Sequence, residues 1–295
     1  MPPGHRPSPL RPAARWAWDR VGNAGALGRV LPDFLVIGIK KGGTSSLDHY
    51  LRQHPLVLGA SRKEPRFFHS QWHRGQLWYR QFFPRRTELR SVARTRGRRP
   101  LVFEATPDYL YWADVPARVA RTLPGRRFVA LLRDPVERAF SDYHSYVRAG
   151  REVRSFDEVV ASELAVLAER GPGPAGVGSG GAGSGGAGSG EITRRAKILS
   201  MGLYADQLEA WYRHVDPGAI LVLASEDLFA DEVAALATIT EFLGLPPHDD
   251  HRCRPANVGG HTASMGAATR ARLVDLYAPH NHRLATLLGR DLRWQ

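Results

Sequence analysis

The sequence predicts an α/β fold in which helices cover both faces of a central parallel sheet. Three observations lead to this prediction. Apolar runs of strand length alternate with helix-length segments along most of the chain. The first apolar run opens into a glycine-rich turn, and a helix pattern follows that turn. A later run ends in Arg-Asp-Pro, which is typical of a strand followed directly by the first turn of a helix.

The alternation assigns the elements in chain order. The predicted strands cover residues 34–39, 56–58, 101–103, 127–132 and 219–224. The predicted helices cover residues 45–53, 74–82, 114–122, 136–148, 156–169, 194–214, 231–243 and 267–288. A chain of 295 residues is long enough to bury the core of one large domain. We therefore expect a flexible lead-in over residues 1–31 and one domain over residues 32–295.

One segment, residues 171–190, breaks the alternation. It consists of Gly, Ala, Ser and Pro with a single Val, so it cannot bury enough apolar surface to offset its ordering entropy. A strand and several helices that complete the sheet follow it in the sequence. We therefore expect a disordered insertion within the domain.

The charge of the chain is strongly basic, with a formal net charge of +12, which favours polyanionic partners. Nearly all of this charge is arginine, a bias that a GC-rich genome also produces. The sequence contains no helix-turn-helix, zinc-finger or ribonucleoprotein pattern, so we do not expect a nucleic-acid partner. The single cysteine, Cys253, excludes a disulfide within the chain and indicates a reducing, cytoplasmic location.

No apolar segment is long enough to span a bilayer, and the Pro- and Arg-rich N-terminus lacks the apolar stretch of a secretory signal. Residues 16–31 could form a weak amphipathic helix that touches a membrane surface or another subunit. The glycines at positions 22, 25 and 28 favour instead a loose lead-in packed through Trp16 or Trp18. The sequence does not define the oligomeric state.

The glycine-rich turn carries the first chemical signal. A strand over Phe34–Ile39 is followed by K-K-G-G-T-S-S, in which Gly42 and Gly43 allow backbone amides to approach an anion closely. The helix that follows adds oriented N–H groups and a partial positive charge. This P-loop-like pattern predicts a phosphate site. Thr44 stands where nucleotide triphosphatases need lysine, so a site for Mg²⁺ and a β/γ-phosphate pair is disfavoured.

The second chemical signal is Arg133 at the carboxyl end of the predicted strand 127–132. Ligands of open α/β sheets bind at such ends, and a guanidinium offers a rigid set of donors for phosphate. Ser141, two helical turns further on, could reach the same group. In the alternative interpretation, Arg133 pairs with Asp134 or Glu137 and Ser141 is a solvated helix residue.

Three motifs in order now resemble a known family. G-I-K-K-G-G-T-S-S-L, K-E-P-R-F-F and L-L-R-D-P-V-E-R-A-F-S-D-Y resemble the sulfotransferases that use 3′-phosphoadenosine 5′-phosphosulfate (PAPS). The resemblance is greatest to the heparan sulfate glucosaminyl sulfotransferases and their bacterial relatives, and it extends from about Pro32 to Trp294. It implies a three-layer α/β/α sulfotransferase fold and transfer of a sulfuryl group to a hydroxyl or amine of a carbohydrate, glycolipid or small molecule.

The resemblance also implies roles for individual residues. The 5′-phosphosulfate would be held by Lys41, Gly42, Gly43, Thr44, Ser45 and Ser46. Arg133 and Ser141 would hold the 3′-phosphate, and Tyr204 would lie near the nucleotide. Glu64, in K-E-P-R-F-F, would be the general base that takes the proton of the acceptor.

The local sequence around Glu64 leaves two interpretations open. Pro65 biases Glu64 towards an extended conformation, and Phe67 and Phe68 would anchor the segment in the core. A fixed carboxylate could then act as a base. Alternatively, Glu64 is a surface residue paired with Lys63 or Arg66.

The chain departs from the heparan sulfate enzymes at two places. They carry lysine in the acceptor cleft where Ala105 stands in this sequence, which argues against heparan sulfate itself as the acceptor. Glu104, Thr106 and Tyr109 could still line that cleft, although Tyr109 and Tyr111 could equally be core residues. A basic nucleotide-binding turn is replaced by residues 257–270, where His261 or Arg270 could substitute.

Two other functions remain open from the residues alone: a small-molecule kinase of the P-loop type, and a non-catalytic nucleotide or polyanion binder. The missing lysine at position 44 counts against the kinase, and the presence of both Lys41 and Glu64 counts against the binder. The scattered histidines show no metal-ligand spacing, and sulfuryl transfer requires no metal. We therefore expect no metal cofactor.

Overall fold

The computed structural model of the chain describes residues 25–169, 197–248 and 264–294. In this part, five strands form a parallel sheet in the order β2-β3-β1-β4-β5. The strands are β1 (Phe34–Val36), β2 (Val57–Gly59), β3 (Leu101–Ala105), β4 (Arg127–Leu132) and β5 (Ile220–Ala224). This arrangement confirms the predicted α/β class. The predicted disordered insertion at 171–190 lies outside the described residues.

Helices connect the strands. They are α1 (Thr44–Leu51), α2 (Gly75–Arg80), α3 (Arg86–Arg96), α4 (Asp114–Thr122), α5 (Pro135–Arg148), α6 (Phe156–Ala168), α7 (Lys197–Ser200), α8 (Tyr204–Tyr212), α9 (Ser225–Ala230), α10 (Glu232–Leu243) and α11 (Ala267–Leu288). Short 3₁₀ turns cover Trp72–Arg74 and Pro217–Ala219.

The two faces of the sheet bury separate apolar clusters, because successive strand residues point to opposite faces. On one face, Leu35 and Phe128 pack with residues of α2, α4, α8 and α11, including Trp211. On the other face, Phe34 and Val129 pack with α1, α9 and α10. Three layers, α/β/α, are the result, as predicted.

Tertiary packing changed several predicted boundaries. The single helix predicted over 194–214 is divided into α7 and α8 by a turn at Gly202, where a Cβ would lie 2.7 Å from the Tyr277 ring. Helices α3 and α9 were not predicted. Helix α3 buries only Leu89 and needs no apolar face. Its sequence therefore lacks the apolar periodicity that would predict a helix.

The predicted lead-in is described only from residue 25. Residues 25–28 form a turn, and Arg29 forms an antiparallel bridge with Arg85 at the start of α3. Ala26 is fully buried. Among the described residues, we find no helix with the length and apolar character needed to cross a membrane. Trp16 and Trp18 lie outside the described residues, as does Cys253.

The parallel ladder between the first strand and β4 continues past Val36. The N–H of Ile37 donates to the carbonyl of Val129 at 2.9 Å, and the N–H of Ile39 donates to that of Leu131 at 2.9 Å. Between them, Gly38 passes so close to β4 that a Cβ would lie 2.6 Å from the Leu131 nitrogen. This contact carries the chain directly into the glycine-rich turn.

We predict that Gly38→Ala destabilises the fold by about 2 kcal/mol or more, because the added methyl would meet backbone that cannot move without breaking the ladder. Urea unfolding measures the change. Gly28→Ala is the matched control, since no atom lies within 4 Å of its Cβ position. Equal unfolding midpoints for Gly38→Ala and the natural protein would contradict the prediction.

Candidate functional site

The glycine-rich turn lies where β1 ends and α1 begins. Lys41 has a φ of 71° and Gly43 has a φ of 83°, so both adopt the left-handed conformation. A Cβ on Gly43 would lie 2.8 Å from the Phe229 ring, which leaves no room for another residue. The N–H of Gly42 closes the turn on the carbonyl of Ile39 at 3.0 Å.

The first turn of α1 presents its N–H groups without a competing anion. Its N-cap, Gly43, has no side chain to cap the helix, and the first turn contains no acidic residue. Ser46 is fully buried, Thr44 is nearly so, and Ser45 is partly exposed. The helix dipole and the uncapped amides therefore favour a negatively charged group at this position.

Arg133 joins the turn to the neighbouring strand. Its guanidinium Nη1 donates to the Lys41 carbonyl at 3.2 Å. The alternative pairings are not formed: Asp134 caps α5 by accepting from the amides of residues 136 and 137, and Glu137 pairs with Arg270 of α11. The Arg133 guanidinium therefore lies against the glycine-rich turn, beside the neighbouring strand.

Buried charge fixes the turn to α5. The Nζ of Lys40 lies 2.7 Å from Oδ1 of Asp142, whose side chain is fully buried, and 4.3 Å from the centre of the Tyr146 ring. Asp142 also pairs with the buried Arg138 at 3.4 Å. Ser141, the residue before Asp142, is therefore held on the helix that contacts the turn, and its side chain is partly exposed.

The Lys41 ammonium makes no hydrogen bond or ion pair within the described part of the chain, although Asp142 is close enough to raise its pKa. Burial lowers the pKa of Lys41, Asp142 opposes this effect, and the charges of Arg148, Lys40 and Arg133 lower the pKa further. The turn is therefore a region of surplus positive charge. An anion is the group that would stabilise it.

Lysine is rare in this chain, and the structure brings its members together. Lys40, Lys41, Lys63 and Lys197 are the four lysines among 41 basic residues. Lys63 donates to the Ser45 hydroxyl, and Lys197 lies close enough to Lys40 for their charges to interact. All four therefore surround the same edge of the sheet.

The segment that carries Glu64 reaches this edge through Lys63. Phe67 and Phe68 are buried, with 1% and 0% of their surface exposed, so they anchor the segment as predicted. The predicted extended conformation of Glu64 is wrong: its φ is 52°, and its carboxylate pairs with Arg66 at 2.7 Å. Arg66 also has a positive φ, of 56°. Its ion pair with Glu64 stabilises this conformation, although Pro65 favours an extended one.

A cleft of about 500 Å³ adjoins Glu64. Its lining residues are polar or charged: Arg62, Lys63, Glu64, Arg66, Ser70 and Gln71. Further along, the ring of His69 stacks on Trp112 at 5.5 Å and lies 3.3 Å from Asp108, while the Lys197 ammonium lies 5.1 Å from the Trp112 ring centre.

Glu104 is a buried carboxyl group close enough to Glu64 for their charges to interact. It accepts hydrogen bonds from the hydroxyls of Tyr79 at 2.9 Å and Thr106 at 2.7 Å, and it also bonds Tyr109. The Tyr109 oxygen in turn accepts from the N–H of Phe68 at 3.3 Å. Glu104 therefore holds the tyrosines that pack around the Glu64 segment, and it does not line the cleft.

Burial raises the pKa of Glu104 to about 7, although the hydrogen bonds from Thr106, Tyr109 and Tyr79 lower it. The charge of Glu64 raises it slightly further. Ala105, the next residue, is also buried, with 1% of its surface exposed, and Tyr109 and Tyr111 are core residues.

Two side-chain hydroxyls bind backbone carbonyls at the strand ends. The hydroxyl of Tyr204, which is almost fully buried, donates to the Arg133 carbonyl at 2.8 Å, so Tyr204 positions Arg133. The Ser225 hydroxyl lies 2.7 Å from the carbonyls of both Gly42 and Leu132. Sequence reasoning missed Ser225, although its position directly after β5 was a usable signal.

His261 lies outside the described residues. Arg270 is bound to Glu137. Within the described ranges, His, Cys, Asp and Glu side chains form no group of three that could hold a metal ion.

The fold and the turn together define an α/β protein with surplus positive charge at the carboxyl ends of β1 and β4. Residues 31–254 match the sulfotransferase domain family, which covers more than half of the chain. The chain belongs to this family of PAPS-dependent enzymes and is a sulfotransferase. The family resemblance seen in the sequence is confirmed.

Individual relatives agree with this assignment. Heparan sulfate glucosamine 3-O-sulfotransferase 3B1 of Mus musculus is 29% identical over 92% of this chain and 67% of its own length. The corresponding 3A1 enzyme of Mus musculus is 30% identical over 90% of this chain and 64% of its own length. The chain thus spans about two thirds of the length of these relatives.

A solved structure shows the same fold. The sulfotransferase from Alicyclobacillus acidocaldarius superposes with a TM-score of 0.64 and 26% sequence identity, covering 89% of this chain and 98% of its own. It is therefore similar to this chain along almost its entire length.

The raised pKa of Glu104 leads to a prediction about stability. Folding raises this pKa from 4.5 to about 7. The protonated Glu104 therefore contributes fully to the free energy of unfolding below pH 4.5, and this contribution is lost as the pH rises through 7. Glu104→Gln mimics the protonated form. We expect the difference in unfolding free energy between Glu104→Gln and the natural protein to change by roughly 3 kcal/mol in favour of the variant between pH 5 and pH 8.

Urea unfolding at several pH values measures this difference. Glu163 also has a pKa raised by burial to about 7, but it is present in both proteins and its effect cancels. Parallel stability curves for the two proteins would show that Glu104 does not titrate in this range.

Proposed function

We propose that this sulfotransferase takes its sulfuryl group from PAPS and transfers it to a hydroxyl or amine of a carbohydrate, glycolipid or small-molecule acceptor. The observation that carries the proposal is the hydrogen bond from the Arg133 guanidinium to the Lys41 carbonyl. It lies beside the Lys41 ammonium, which has no hydrogen-bond or ion-pair partner among the described residues. Two cations on neighbouring strand ends suit a nucleotide that bears two separate anionic groups.

The 5′-phosphosulfate would lie on the turn. The amides at the start of α1, with Gly42, Gly43, Thr44, Ser45 and Ser46, would surround its oxygens. Lys41 would stand beside the oxygen that bridges phosphorus and sulfur. Negative charge accumulates on that oxygen as its bond to sulfur breaks, and a positioned ammonium stabilises it.

The 3′-phosphate would be bound by Arg133 and Ser141. The Lys41 carbonyl accepts from the Arg133 guanidinium, and the Tyr204 hydroxyl holds the backbone carbonyl of Arg133. Ser141 lies on the helix that the Lys40–Asp142 pair holds against the turn. The guanidinium is therefore pre-positioned before the nucleotide arrives. This reduces the ordering cost of binding.

Glu64 would act as the base. In the reaction, the acceptor oxygen or nitrogen forms a bond to sulfur, the bond from sulfur to the 5′-phosphate oxygen breaks, and the acceptor proton passes to the Glu64 carboxylate. The products are a sulfated acceptor, adenosine 3′,5′-bisphosphate (PAP) and a protonated Glu64. Arg66, which pairs with Glu64 at 2.7 Å, would orient the carboxylate.

The acceptor would occupy the polar cleft beside Glu64. The named relatives act on heparan sulfate glucosamine, which supports a carbohydrate as the acceptor class. Position 105, however, is a buried alanine and supplies no cation to the cleft. We therefore propose a polar, hydroxyl-bearing acceptor other than heparan sulfate.

We predict that PAP raises the melting temperature of the protein, because a ligand that binds the folded state alone stabilises it by about 2.7 kcal/mol at a hundredfold excess over Kd. Lys41→Ala should lose most of this shift and all measurable transfer while unfolding normally without PAP. Arg272→Ala removes an exposed cation on α11 and serves as the control. A shift with ATP and Mg²⁺ but none with PAP would indicate a kinase instead.

We also predict that Glu64→Gln retains PAP affinity but lowers transfer at least about a hundredfold, because the amide cannot accept the acceptor's proton. The assay follows labelled sulfate from PAPS into a panel of oligosaccharides, glycolipids and small hydroxyl compounds. Glu241→Gln, an exposed change on α10, is the matched control. Transfer by Glu64→Gln at the natural rate would remove Glu64 from the mechanism.

A further inference from the structure

A second charged cavity lies at the opposite edge of the sheet, where the strands begin. This groove has a volume of about 580 Å³. Val30 and Leu31 of its wall precede β1, Arg99 precedes β3 and Arg126 precedes β4. Because the strands are parallel, this edge is separated from the nucleotide site by the length of the sheet.

The groove combines an apolar floor with five guanidinium groups. The apolar residues are Val30, Leu31, Leu89 and Ala93, and the cations are Arg80, Arg86, Arg90, Arg99 and Arg126. The cations exceed the groups available to neutralise them. Arg99 and Arg126 share the single carboxylate of Asp33, at 3.1 Å and 3.3 Å.

Two of the arginines stay unpaired. Arg86 and Arg90 are one helical turn apart on α3, both are exposed, and neither side chain forms an ion pair or hydrogen bond within the described ranges. Among the described residues, Arg80 donates only to the backbone carbonyl of Arg29, at 2.9 Å. The groove is therefore open to an external anion.

The surface around the groove continues the same pattern. Between residues 85 and 99 the chain carries seven arginines and one acidic residue, Glu88, which is engaged in capping α3. Beside them, Leu27 is 70% exposed. Its turn is fixed to α3, because the N–H of Arg86 donates to the carbonyl of Gly28 at 3.0 Å.

We propose that this face, which comprises residues 27–31 and 85–99, docks onto the surface of a membrane that contains anionic lipids. The arginines pair with the lipid phosphates, and the apolar floor of the groove contacts the lipid carbon atoms next to the headgroups. Leu27 inserts at the boundary between the headgroups and the acyl chains. The nucleotide edge then faces the aqueous side. A soluble polyanion would satisfy the arginines but would leave the exposed leucine and the apolar floor without a role.

Sedimentation with vesicles tests the proposal on the full chain. We expect binding to phosphatidylcholine vesicles that contain about a third phosphatidylglycerol, at about 0.1 M salt, and little binding to phosphatidylcholine alone. The double variant Arg86→Glu/Arg90→Glu should weaken binding at least about tenfold. Arg151→Glu/Arg272→Glu, which changes the net charge equally at two exposed sites elsewhere, should bind as the natural protein does.

Leu27→Ser separates a membrane from a soluble polyanion. It should reduce vesicle binding severalfold and leave heparin binding unchanged. Circular dichroism and PAP binding report whether each variant is folded, independently of the docking face. Absence of binding to anionic vesicles, equal loss in both double variants, or no effect of Leu27→Ser on vesicle binding would overturn the proposal.

Discussion

The parallel pairing of β1 with β4 is the constraint on which the rest of the site depends. Phe34 is paired with Arg127 and Val36 with Val129, so the two strands finish side by side. The ladder continues through Ile39, and Gly38 allows the backbones to approach closely enough for it. Every group that follows either strand is therefore delivered to the same small region.

Hydrogen bonds to backbone carbonyls then lock that region. Arg133 binds the Lys41 carbonyl, Tyr204 binds the Arg133 carbonyl, and Ser225 binds the carbonyls of Gly42 and Leu132. These bonds use backbone carbonyl oxygens as acceptors, so they do not occupy any N–H group of the turn. Hydrogen-bond donors thus fix the carbonyl groups of the turn, and the turn keeps its surplus positive charge.

Buried acids perform the same task at longer range. Asp142 ties Lys40 of the turn to Arg138, and Glu104 ties the tyrosines around the Glu64 segment to the end of β3. An isolated buried carboxylate is costly, but each of these is paired or hydrogen-bonded, so the cost is largely offset.

The sequence by itself determined the strands, the glycine-rich turn and the position of Arg133 at the carboxyl end of its strand. These follow from local patterns, since apolar runs define strands and parallel strands bring their carboxyl ends to one edge. Only the tertiary structure decided the conformation of Glu64, the burial of Glu104, the contact of Ser225 and the arginine groove. Those features depend on partners distant in the sequence, such as Asp33 with Arg126 or Gly42 with Ser225, and no local pattern records which distant side chains will meet.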